Sequence, residues 1–88
     1  MLKISESVGQ DGGTIVKLEG QVTGAWVTDV GEYCRRLLDT GLLLTLDVGE
    51  VSFLDSKGVA LFKELRMRQV RLVNCDPFLT ELLKTAAP

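Results

Sequence analysis

Apolar and polar positions recur along the chain with two periods, and each change of period marks an element. Residues 2–8 alternate weakly and predict a first strand. Gln10-Asp11-Gly12-Gly13 is a turn signal, because Asp-Gly and Gly-Gly supply the positive-φ residues of a tight hairpin. Thr14 to Glu19 follows as a second strand, with Val16 and Leu18 alternating against Lys17 and Glu19, and Gly20 is expected to end it. The first two strands therefore form an antiparallel hairpin. Over residues 25–39 the spacing becomes helical: Val27, Val30, Cys34, Leu37 and Leu38 share one face, and Asp29, Glu32, Arg35 and Arg36 share the other. The acidic pair precedes the basic pair, as the helix dipole favours. Thr40-Gly41 closes this helix, with Gly41 as a left-handed cap.

The second half opens with Leu42-Leu43-Leu44-Thr45-Leu46-Asp47-Val48, nearly continuous in apolar character, as expected of a central strand covered on both faces. After Gly49-Glu50, a short Val51–Leu54 segment leads into Asp55-Ser56-Lys57-Gly58. A helix is predicted over residues 57–68, with Val59, Leu61, Phe62 and Leu65 as its apolar stripe, followed by a strand over 70–75. Asp76-Pro77 starts a last helix, with proline at its first position and Phe78, Leu79, Leu82 and Leu83 expected to face inward. The order β-β-α-β-α-β-α predicts an α/β (α+β) fold in which a mixed four-stranded sheet is covered by helices through right-handed crossovers.

Composition narrows the function more than the fold. At 88 residues the chain supports one domain, spanning 1–88. It contains no histidine, which excludes a histidine general base, a Ser-His-Asp triad and an imidazole metal site. Cys34 and Cys75 form neither a CxxC pair nor a disulfide framework, and both are expected to be small apolar fillers in a reducing compartment. No apolar run approaches membrane-spanning length, and Met1-Leu2-Lys3-Ile4-Ser5 lacks a signal-peptide core, so a cytoplasmic protein without membrane insertion is expected. A net charge of −2 argues against nucleic-acid binding. Neither a cofactor nor a metal is implied, and the expectation is a protein that is not an enzyme.

Candidate chemistry concentrates where Asp55-Ser56 opens the second helix. A serine there can cap the helix, accepting from an N–H two or three residues on. Alternatively it presents its hydroxyl at the helix N-terminus, where free N–H groups and the dipole favour an anion. Asp47, near the end of the central strand, reads equally as a ligand or as a turn acceptor. Trp26 reads as an interface anchor or as packing beside the first helix. Lys57, Lys63, Arg66, Arg68 and Arg71, opposed only by Glu64, form either a docking patch for an acidic partner or a nucleotide phosphate, or the solvated face of an amphipathic helix.

The segment Leu44 to Gly58, which contains Val51-Ser52-Phe53-Leu54-Asp55-Ser56-Lys57-Gly58, resembles the strand, "V-x-F-hydrophobic-D-S-x-G" turn and helix of the STAS domain, the fold of bacterial anti-sigma-factor antagonists. Ile15-Val16-Lys17-Leu18-Glu19-Gly20 and Asn74-Cys75-Asp76-Pro77 extend the resemblance over nearly the whole chain, which is short for that family. The resemblance implies a non-catalytic protein-interaction module. It also implies that Ser56, beside Asp55, is phosphorylated by a partner kinase, and that phosphorylation releases the bound kinase or anti-sigma factor. Asp55, Ser56, Lys57 and Gly58, with Thr23 and Trp26 of the Gly20–Trp26 loop, are then the candidate partner-binding residues. Lys57 stands where members often carry a small residue, and Thr23 where an acidic one is frequent. An alternative within the family is a constitutive accessory subunit of a lipid-transport complex, docked on a transporter ATPase. A carrier protein modified at Ser56 is a remote alternative, contradicted by the strands and by Lys57.

Overall fold

The computed structural model describes residues 2–85. Its elements are β1 (Leu2–Val8), β2 (Thr14–Val22), α1 (Ala25–Asp39), β3 (Leu44–Leu54), α2 (Ser56–Met67), β4 (Arg71–Val73) and α3 (Pro77–Thr85). The four strands form one sheet in the order β1-β2-β3-β4. β1 and β2 pair antiparallel, with Leu2 opposite Gly20 and Val8 opposite Thr14. β2, β3 and β4 run parallel. The predicted element order, the hairpin and the mixed sheet are all present.

The three helices lie on one face of the sheet. α1 and α2 pack against each other and against β3, and α3 packs against α2. Alternation along the strands follows from this. Val16, Leu18 and Val22 of β2 and Leu44, Leu46 and Val48 of β3 point into the core, which is completed by Val30, Cys34, Val59, Leu61, Phe62, Leu65, Leu79 and Leu83. Phe62 is fully buried and is the largest of these side chains. The opposite face carries Lys17 and Glu19, 3.9 Å apart, with Thr45 and Asp47 beside them. The expectation that β3 is covered on both faces is therefore corrected: its apolar look comes partly from Leu42 and Leu43, which precede the strand and are exposed.

Two further corrections concern β3 and its neighbours. The 42–48 strand and the 51–54 segment are one strand carrying two irregularities. Lys17 to Glu19 of β2 spans Asp47 to Glu50 of β3, and Gly20 to Gln21 spans Val51 to Phe53, so β3 holds an extra residue at each place. Its inward positions consequently run 44, 46, 48, 51 and 54, which no strict two-residue period reveals. Gly20 lies at the second of these shifts, and β2 continues past it to Val22.

β4 is shorter than the predicted 70–75 strand, pairing only Arg71, Leu72 and Val73 with Thr45, Leu46 and Asp47. Asn74 takes a left-handed φ of 61° and turns the chain out of the sheet. α2 is displaced by one residue from the predicted 57–68. In α3, Leu79 and Leu83 are buried and Leu82 half-buried, as expected, but Phe78 is 68% exposed. With Pro77 as the first helical residue, Phe78 falls off the stripe that Leu79 and Leu83 define.

Candidate functional site

Because β2, β3 and β4 are parallel, their C-terminal ends deliver the N-termini of α1, α2 and α3 to the same end of the molecule. Asp55 joins two of them. Its Oδ1 accepts from the Gly58 N–H at 2.8 Å, which caps α2. Its Oδ2 accepts from the Gly24 N–H at 2.9 Å, at the residue that precedes α1. These two donors, Gly24 first, hold the Asp55 carboxyl below the usual carboxylate range, and the Lys57 charge adds to the effect. Gly24 has φ 54° and ψ −127°, a conformation that a side chain disfavours, and this turns its N–H toward Asp55.

Gly58 is required for a different reason. A Cβ there would lie 2.6 Å from the Val22 carbonyl oxygen and 2.9 Å from Leu54 Cδ2. The first turn of α2 thus rests directly on the end of β2. The Asp-Ser-Lys-Gly spacing has a geometric meaning: the aspartate caps the N–H of the glycine three residues on, and that glycine is where helix and strand touch.

The capping question raised by the sequence is answered in favour of Asp55. Ser56 is the first residue of α2, is exposed, and has no hydrogen bond from its hydroxyl among the described residues. Lys57 beside it is exposed as well. Thr23 is half-buried and its carbonyl accepts from the Trp26 N–H at 3.0 Å. Trp26, on the first turn of α1, is 39% exposed. The expected Gly20–Trp26 loop is reduced to Thr23-Gly24, since β2 runs to Val22 and α1 begins at Ala25. The Asp55–Gly24 bond brings this turn against the Ser56 turn, so all six candidate residues fall at one end of the fold.

Two aromatic residues at this end were not anticipated as site residues. Phe53 is 53% exposed, because the extra residue at Ser52 turns it to the side opposite the buried Leu54. Phe78 is exposed beside it, and the two border a shallow groove floored by Val51, Leu79 and Leu82. The only sequence signal for this was a pair of phenylalanines, each separated by one residue from a helix-capping aspartate. Asp76 accepts from the Leu79 N–H at 2.7 Å and so caps α3. Asp47 has the turn role: its Oδ1 accepts from Asn74 Nδ2 and from the Gly49 N–H, both at 3.0 Å, and these bonds lower its pKa in that order of weight.

The STAS domain family profile matches residues 4–87. No curated protein matches the sequence. Among solved structures, the chain is similar to the anti-sigma factor antagonist SpoIIAA in its unphosphorylated form, with 19% identity, a TM-score of 0.69, and coverage of 93% of this chain and 82% of that one. It is also similar to an antisigma-factor antagonist STAS domain from Rhodobacter sphaeroides, at 24% identity and a TM-score of 0.63, covering 99% and 97% of the two chains. A third similarity is to a DUF3478 family protein with a SpoIIAA-like fold from Shewanella loihica, at 15% identity and a TM-score of 0.58, covering 88% and 69%. At these identities the structures attest the fold. The family rests on the profile match over nearly every residue, and on that ground the chain belongs to the STAS domain family.

Proposed function

We propose that this domain is a non-catalytic cytoplasmic module that binds an anti-sigma factor or serine-kinase-like partner through the end of the fold that carries Ser56, and that phosphorylation of Ser56 releases the partner. The observation that carries the reading is the division of labour at the turn. Asp55 supplies both the α2 cap and the tie to Gly24, so the Ser56 hydroxyl is exposed and has no structural bond to lose. Phosphate would add about −1.5 to −2 charge there. At a helix N-terminus that charge gains about 0.3–1 kcal/mol from the dipole, and the neighbouring Asp55 carboxylate opposes the gain. The net effect on folding is small, and release acts through the interface. Trp26, Phe53 and Phe78 supply the exposed aromatic area on which protein interfaces concentrate their affinity.

The test is capture of the partner from native lysate with mapping of Ser56 phosphorylation, followed by titration of Ser56→Asp and Ser56→Ala against that partner. Ser56→Asp should bind at least about tenfold more weakly, a loss of about 1.4 kcal/mol, while Ser56→Ala binds like the wild type. Equal affinity of Ser56→Asp and wild type would refute the switch. Recovery of a transporter ATPase as the sole partner would replace the reading with constitutive docking.

A further inference from the structure

At the sheet edge away from β1, a cleft of about 360 Å³ opens between the end of α2, β4 and α3. It shares no residue with the Ser56 end. Its size falls within the range of about 300–1,000 Å³ usual for small-molecule sites. Val70 and Leu83, both buried, floor it together with the half-buried Leu72 and Cys75. Its polar lining is Arg66, Arg71 and Thr80. Among the described residues neither arginine has a carboxylate partner: the two ion pairs are Lys17–Glu19 and Arg35–Glu64. The nearby Asp76 carboxylate is engaged in capping α3. Burial raises the Cys75 thiol pKa, so that group adds no negative charge at neutral pH.

The sequence left the run from Lys57 to Arg71 open between a docking patch and a solvated face. The fold divides it. Lys63 and Arg68 lie outside this cleft, whereas Arg66 and Arg71, on different elements, border the same apolar floor. Two unpaired guanidiniums suit a carboxylate or phosphate, whose oxygens they bind through planar forked donors. The floor suits a short hydrocarbon. We propose that this cleft binds a small amphipathic organic anion, its carboxylate or phosphomonoester head held by Arg66 and Arg71 and its apolar body lying on Val70, Leu72 and Leu83. Thr80 also lines the cleft, and its hydroxyl would donate a further bond to the head.

Amide NMR titrations of the full chain with octanoate and with octyl phosphate test this and separate the two head chemistries, with octanol and inorganic phosphate as the partial ligands. Shifts should concentrate at residues 70–75, Thr80 and Leu83 for at least one of the two anions. Octanol and inorganic phosphate should each bind at least about tenfold more weakly than that anion. The double variant Arg66→Gln/Arg71→Gln, which keeps the floor, should lose about tenfold or more in affinity, as removal of charge-assisted bonds implies. Three results would each overturn the proposal: an unchanged affinity in the double variant, octanol binding as tightly as the better-bound anion, or shifts that are absent with both anions or centred on the Phe53–Phe78 groove.

Discussion

The two carboxylate oxygens of Asp55 serve different elements, one capping α2 and the other fixing the start of α1. Asp47 plays a similar part between β3 and the turn after β4. Both carboxyls titrate below their ordinary value in the folded protein, held down by N–H donors. The stabilisation they supply is therefore fully present above the unfolded pKa of about 3.9, and it is lost as pH falls through the depressed folded values. Asp55→Asn leaves one acceptor oxygen for two N–H donors, so its thermal midpoint should fall below that of the wild type at pH 7. The gap should begin to narrow near the unfolded pKa of about 3.9 and close only once pH falls below the depressed folded value, where the wild-type carboxyl is uncharged in both states. A gap that stays constant from neutral to acid pH would show that the carboxylate charge contributes nothing. That a helix starts at Asp55-Ser56 was legible from two cap-forming residues ahead of an apolar stripe. Which of them caps was not, because either side chain can accept from the first-turn N–H groups, and the choice depends on Gly24, 31 positions away. The thiols show a related contrast. Burial raises both thiols, Cys34 up to about 11, but Cys34 is fully buried and Cys75 only half-buried, so native-state alkylation should label Cys75 well before Cys34.

At the scale of elements, β3 shows how far periodicity reaches. α1 was legible to its limits, 25–39, because one helical stripe meets one core. β3 was read as two pieces because its inward positions step by two, two, three and three, and a bulge leaves no local mark beyond a nearby glycine. That irregularity also hid Phe53, which strict alternation from Val51 would have placed inward. The junction of β2 with α2 was equally silent. Glycine at 58 looked like a motif letter, yet its lack of a Cβ is what lets the helix sit on the Val22 carbonyl. Gly58→Ala should therefore lower stability by about 1–3 kcal/mol, the usual range for overpacking. The readout is a lower urea midpoint with an unchanged m-value. A wild-type midpoint would mean that α2 lifts away from β2 without penalty, and the rigid link between Asp55 and the Gly24 loop would be lost with it.

Across the whole molecule, the parallel strands separate two kinds of residue. The core lies between the sheet and the helices, while the strand C-termini carry Ser56, Trp26, Phe53 and Phe78 outward. A change at one should leave the other intact, and this separates release through an interface from release through unfolding. Domains of this size have stabilities on the order of 4–13 kcal/mol, at roughly 0.05–0.15 kcal/mol per residue. Phe62 is fully buried, so Phe62→Ala should cost about 3–5 kcal/mol and bring the domain close to its unfolding threshold. Ser56→Asp changes an exposed position on the first turn of α2, where surface substitutions stay within about 0.5 kcal/mol. Urea unfolding of the two variants beside the wild type should therefore give a near-native midpoint for Ser56→Asp and a large loss for Phe62→Ala. If Ser56→Asp also releases the partner, the added charge acts on the docking surface of a folded domain. If its midpoint falls as far as that of Phe62→Ala, release proceeds by unfolding, and the surface mechanism fails even though partner binding is lost.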